Sequence, residues 1–226
     1  MMLRIIISRV LLLLCCGWLT PVQAWPFLQD KSGTHIPAMG KLLVAMPSLN
    51  SPHFSATVIL LLSYSKAGAT GLIINRPTQL TLAAEFADQV SEHQASEKLF
   101  WGGPVEMNRR VMLVESAEHE DTSALDPVID SIYLANDRTE FSRLLKQDAP
   151  DNRLRVFAGY AGWGPKQLER EIVRGDWLVV PGDAEMVLRA QTDSIWPQLI
   201  NYKHGRMAAL DFNQGLELAV LGASGH

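Results

Sequence analysis

The chain has almost no cysteine. Its two, Cys15 and Cys16, are adjacent and close to the N-terminus, which excludes a disulfide framework for the rest of the molecule. There is no excess of basic charge either. Lys+Arg number 20 against 24 Asp+Glu, for a formal charge of −4. The basic residues come in ones and twos (Arg109-Arg110, Arg153 with Arg155, Lys203 with Arg206), which argues against a nucleic-acid stripe. No GxSxG elbow, GxGxxG fingerprint or phosphate loop occurs, so the usual nucleophile and dinucleotide templates fail. The six His residues (His35, His53, His93, His119, His204, His226) form no HxH or HxxxH pair, and no preset metal site or cofactor is expected. Glu115, Glu118, His119, Glu120 and Asp121 read as a solvated acidic loop. His53 near Ser48, Ser51 and Ser55 lacks a third group placed by sequence.

Hydrophobic residues make up 47%, enough for a folded core. They are unevenly spread. Residues 1–24 carry Arg4 and Arg9, then an apolar run from Val10 to Leu19, then Pro21 and Val22-Gln23-Ala24. A membrane span needs about 20 apolar residues, so the run is short for one. The pattern is that of a secretory signal peptide cleaved after Ala24. The expected location is periplasmic or secreted, with membrane contact only through an uncleaved leader. Removing it takes two Arg, no acid and both cysteines, so the charge moves from −4 to −6. No thiol nucleophile is then left.

Residues 25–39 form a flexible lead-in, 40–205 a single domain and 206–226 a weakly patterned tail. Strands are predicted at Leu42–Met46, Thr57–Tyr64 and Thr70–Asn75, the last two as a hairpin. Leu82, Phe86 and Val90 predict a helix capped by Thr81. Leu99–Trp101 and Val111–Val114 predict a strand pair around Gly102-Gly103-Pro104. Residues 115–127 read as loop and Ile132–Leu134 as strand. Asp137-x-x-Glu140 opens a helix to Lys146, Leu154–Tyr160 is a strand, and Pro165 starts a helix ending at Gly175. Trp177–Val180 is a strand, Asp183 caps a short helix to Ala190, and 193–204 is a helix broken near Pro197. Strand pairs and helices in mixed order point to an α+β fold with a largely antiparallel sheet.

Three turns are candidate sites. Asn75-Arg76-Pro77 ends a buried strand and has the donors for an anion. Alternatively, Asn75 binds backbone groups in its own turn. Gly102-Gly103 permits close approach or a row of free N–H groups. Gly159-Tyr160-Ala161-Gly162-Trp163-Gly164-Pro165, with Gln167 and Glu171, leads a strand to a helix N-terminus suited to an anion. Alternatively, Trp163 packs in the core and the glycines permit its fit. The expected partner is a small anionic ligand or a protein.

These motifs, in the order Gly40-Lys-Leu-Leu-Val-Ala-Met-Pro, Gly71-Leu-Ile-Ile-Asn-Arg-Pro, Gly102-Gly-Pro-Val and Gly159-Tyr-Ala-Gly-Trp-Gly with Gln167-Leu-Glu and Glu171, resemble the bacterial YqgE/AlgH family over residues 40–204. The resemblance implies an α+β fold with a bifurcated, barrel-like sheet surrounded by helices. It implies no reaction. A regulatory label in the AlgH branch makes a transcriptional regulator one alternative, which the acidic charge opposes. A hydrolase using a pocket shared by the three turns is another. Two features depart from the family. Asn50-Ser-Pro-His-Phe54 stands where Asp-Pro-x-Phe is usual, and family members usually lack a leader and are cytoplasmic.

Overall fold

Apolar runs flanked by turn residues set the sheet. In the computed structural model, β1 (Lys41–Ala45) is buried on both faces over most of its length and β2 (Val58–Ser65) over its first half, as expected of central strands. Residues 36–116, 122–135, 137–147 and 153–201 are described, all within one compact unit spanning 31–226. The leader 1–24, the tail 206–226 and most of the lead-in lie outside the described residues.

β2 turns at Lys66-Ala67 into β3 (Gly68–Ile73), an antiparallel hairpin as the short loop predicts. The remaining strands are β4 (Pro77–Thr81), β5 (Lys98–Trp101), β6 (Val105–Glu115), β7 (Asp126–Ile129), β8 (Ile132–Ala135), β9 (Leu154–Trp163) and β10 (Trp177–Pro181). The sheet order is β10-β1-β2-β3-β9-β6-β8-β7, with β4 and β5 branching from β9. All pairings are antiparallel except β5 with β9. The sheet curls strongly into a half-barrel. Ile129, on the outermost strand, packs beside Gly40 and Gly182 near the opposite edge. The α+β class with a largely antiparallel sheet is the one the order of elements implied, and the bifurcated sheet is the one the family resemblance implied.

The fork lies at β9. One edge of β9 pairs with β5 through Val156–Ala158 and then with β3 through Ala161–Trp163, while its other edge holds β6. The expected β5–β6 pair therefore does not form: β9 runs between the two. Their link, Gly102-Gly103, crosses β9 at Gly159. A Cβ at Gly103 would lie 2.3 Å from the Tyr160 carbonyl carbon, and one at Gly102 2.3 Å from the Gly159 oxygen. Glycine is required at this crossing by contact, not by flexibility.

Helices cover the sheet. α1 (Leu82–Phe86) is capped by Thr81, whose Oγ1 accepts from Ala84 N at 3.2 Å. It is shorter than its apolar spacing predicts, because Ala87 leaves the helix at φ +52° and Val90 is extended. α2 (Arg138–Lys146) is capped by Asp137 and buries Leu144 and Leu145. α3 (Gln167–Arg174) ends at Gly175, φ +85°, which accommodates the left-handed cap. A π-helical turn (Glu185–Arg189) follows β10. A helix over 192–201, here α4, runs unbroken through Pro197. Buried Ile195, Leu199 and Ile200, with the Trp196 indole donating to Ala45 O at 2.7 Å, hold it against the sheet. Two further corrections concern strands. β4 and β7 fall in segments read as turn and loop, since each carries a Pro and few apolar residues.

Candidate functional site

The three candidate turns are brought close, but most of their polar side-chain atoms are taken up by neighbouring parts of the chain. Asn75 Oδ1 accepts from Val58 N at 2.8 Å and Nδ2 donates to Ala56 O at 3.0 Å. The side chain thus secures Ala56, which sits at φ +56°. Arg76 donates from Nη1 to His53 O at 2.7 Å and from Nη2 to Ser55 O at 2.8 Å, and its guanidinium lies 5.2 Å from the Trp101 ring centre. Burial lowers its pKa from the ordinary value. Both residues clamp the loop over 48–56 onto the sheet.

That loop carries Phe54 into an aromatic cluster. Phe54 packs on Trp163 at 6.4 Å and Trp177 at 5.9 Å between ring centres. One carboxylate binds the cluster together. Glu171 Oε2 accepts from the Trp163 indole at 2.8 Å and the Trp177 indole at 2.9 Å, while Oε1 accepts from Gln167 Nε2 at 3.0 Å. Gln167 Oε1 in turn takes Gly164 N–H at 3.1 Å. The helix N-terminus offered to an anion is thereby partly occupied by the chain's own amide. The Gly159–Trp163 segment is also strand rather than turn, because β9 continues through Trp163. Gly162 is exposed there, and Tyr160 lies beside Arg109, 5.8 Å from ring centre to guanidinium.

Neither of two described cavities joins the three turns. One, about 400 Å³, includes Tyr160, Arg109, Asp126 and Met39 in its wall. The other, about 490 Å³, touches the first turn only at Pro77. Its floor is Phe100, Leu154 and Leu188, all buried. Its wall carries Lys98, Arg153 and Arg155 against a single carboxylate, Glu97. His93, Gln94 and Thr192 complete it.

Arg155 dominates this second cavity. Nη1 donates to Ile74 O at 3.2 Å and Val187 O at 2.9 Å, and Nη2 to Ala190 O at 3.3 Å. Carbonyls satisfy its hydrogen bonds without cancelling its charge. Its guanidinium lies 4.7 Å from the Phe100 ring centre, a cation–π contact. Burial lowers its pKa to about 10, with Glu97 opposing the shift, so it stays cationic at neutral pH. Sequence reasoning noted Arg153 and Arg155 only as scattered bases. The overlooked signal was an Arg flanked by Leu154 and Val156 inside a core strand, where a charge has to be matched by specific partners.

This geometry, a sheet forked at one strand and crossed by a Gly-Gly link, defines an α+β half-barrel of the AlgH type. The AlgH-like family profile matches residues 42–208, and the chain belongs to that family. Similar proteins include a UPF0301 protein of Myxococcus xanthus, 37% identical over 158 residues, covering 69% of this chain and 84% of that one. A Chlamydia muridarum UPF0301 protein is 30% identical over 173 residues, covering 76% and 89%. Among solved structures, protein DIP2367 of Corynebacterium diphtheriae matches with TM-score 0.59 and 28% identity, covering 73% of this chain and 86% of that one. The solution structure of the AlgH protein from Pseudomonas aeruginosa matches with TM-score 0.57 and 26% identity, covering 84% and 97%. The curated relatives are uncharacterised UPF0301 proteins, and no specific activity comes from them.

Proposed function

We propose that this chain is a non-catalytic binding module for a small anionic ligand, working outside the cytoplasm. The observation that carries the binding reading is the cavity wall at Arg155: three cationic side chains face a roughly metabolite-sized space with one carboxylate among them. A half-buried cation held by neutral carbonyls keeps its field available to an incoming anion. The lining favours binding over acid–base catalysis. Its one carboxylate, Glu97, is exposed, whereas such catalysis calls for a carboxyl group tuned by burial. Glu171, the other candidate acid, already accepts three hydrogen bonds from neighbouring side chains. The location rests on residues 1–24 alone.

Titration of the purified protein with inorganic phosphate, followed by backbone amide shifts, tests the site. Saturable shifts confined to residues 93–98 and 153–155 are expected by about 10 mM, the affinity range of a few ionic contacts. Arg153→Gln should weaken binding about threefold. Absent or scattered shifts would remove the reading. Fractionation with N-terminal sequencing tests the location, with a mature start at Trp25 expected.

A further inference from the structure

Among the described residues, three buried side-chain atoms have no hydrogen-bond partner: Ser91 Oγ, Gln94 Oε1 and Asp183 Oδ2. Two of the three belong to one turn, and Gln94 lines the cationic cavity while being only 5% exposed. The turn itself is well tied. Ser91 N donates to Leu145 O at 2.9 Å, Gln94 N to Ser91 O at 3.1 Å and Glu97 N to Gln94 O at 3.0 Å. The orphaned oxygen is therefore not the by-product of a loose loop. The Gln94 amide is held by one long bond, Nε2 to Gln147 O at 3.5 Å, so its group is loosely fixed where the residue lines the cavity. A buried acceptor without a donor is unfavourable, and the anionic oxygens that meet the cations have no donor to give. A hydroxyl does. Thr192 adds a half-buried hydroxyl to the same wall. The floor argues against a stacked aromatic ligand. Its one aromatic, Phe100, is 6% exposed and packs against both the Arg155 guanidinium and Phe157, whose ring centre is 5.5 Å away. On that floor a nucleobase would find no open ring face on which to stack.

We propose that the cavity takes a small non-aromatic polyol bearing one anionic group, phosphate or carboxylate. Its anion meets Lys98, Arg153 and Arg155, and a hydroxyl donates to Gln94. This rests on the anion reading above and deepens it.

Calorimetry on the purified protein tests it with inorganic phosphate, glycerol 3-phosphate, glucose 6-phosphate and gluconate. At least one polyol anion should bind about tenfold more tightly than phosphate, one added hydrogen bond being of that order. The phosphate and carboxylate arms identify the anionic group. Gln94→Leu should bring the polyol anions down to the affinity that the same variant shows for phosphate, with a native-like amide spectrum reporting an intact fold. Thr192→Val, at the cavity edge, should reduce the advantage in part and serves if the Gln94 variant fails to fold. Polyol anions binding no better than phosphate, or a preference unchanged in the variants, would overturn the proposal while leaving the anion site standing. No phosphate binding at all would remove the anion site itself.

Discussion

At the residue scale, the acids of this chain divide by what surrounds them. Glu171 meets three donors, and each bond to a carboxylate is worth about 1.5–3 kcal/mol where well formed. Its role as the knot of the aromatic cluster follows from that. Asp183 is the opposite case. Its Oδ1 accepts from Met186 N at 2.8 Å, but Oδ2 is buried and unpartnered. Burial, foremost, raises its pKa above 3.8. The folded chain thus holds this proton more tightly than the unfolded chain, and stability from the protonated form is lost as pH rises above 3.8. Asp183→Asn keeps the oxygen that meets Met186 N and removes the charge. Urea melts from pH 3 to 7 should show the variant gaining on the wild type as pH rises. A stability difference independent of pH would contradict this cause.

At the scale of elements, the glycines of one short motif differ in kind. Gly159 sits at φ +68°, with a Cβ position 2.5 Å from Gly103 O, whereas a Cβ at Gly162 meets nothing nearer than 3.5 Å. Gly159→Ala and Gly103→Ala should each destabilise by about 3 kcal/mol or more, through overpacking against backbone. Gly162→Ala should shift stability by less than about 1 kcal/mol. Equal denaturation midpoints for all three would contradict the crossing geometry. This contrast also marks how far the sequence could be read. The apolar runs of β1, β2 and β10, the β2–β3 turn and the Thr81 and Asp137 caps are local, and local chemistry revealed them. The separation of β5 from β6 was hidden, because it depends on a strand made some forty residues later. The candidate turns were picked out by glycine and aromatic content, which here served packing. The cationic cavity was missed because its residues come from β5, the turn at 91–94, β9 and α4, which no spacing rule connects.

At the scale of the whole molecule, β9 is the member on which the others depend. It is bonded along both edges and contributes Val156 and Phe157, fully buried, to the core. Opening it requires parting β3, β5 and β6 together. Hydrogen exchange should therefore find the slowest amides at Val156 and Phe157, released only with global unfolding, while β4 and β7, each paired along one side, exchange sooner through local opening. Faster exchange in β9 than in β1 and β2 would show that the fork is not the stable centre.

The crossing at Gly102-Gly103 has a consequence for the order in which the chain is made. Synthesis produces β5 and β6 first, and their shared neighbour comes only with residues 154–163. Until then each of the two has an edge that nothing can satisfy, and β3 lacks its outer partner. A ribosome-bound chain ending before β9 should form separate pieces, β1–β2–β3, β4–β5 and β6–β8–β7, with nothing to join them. The making of β9 is then the step at which separate pieces of sheet become one molecule.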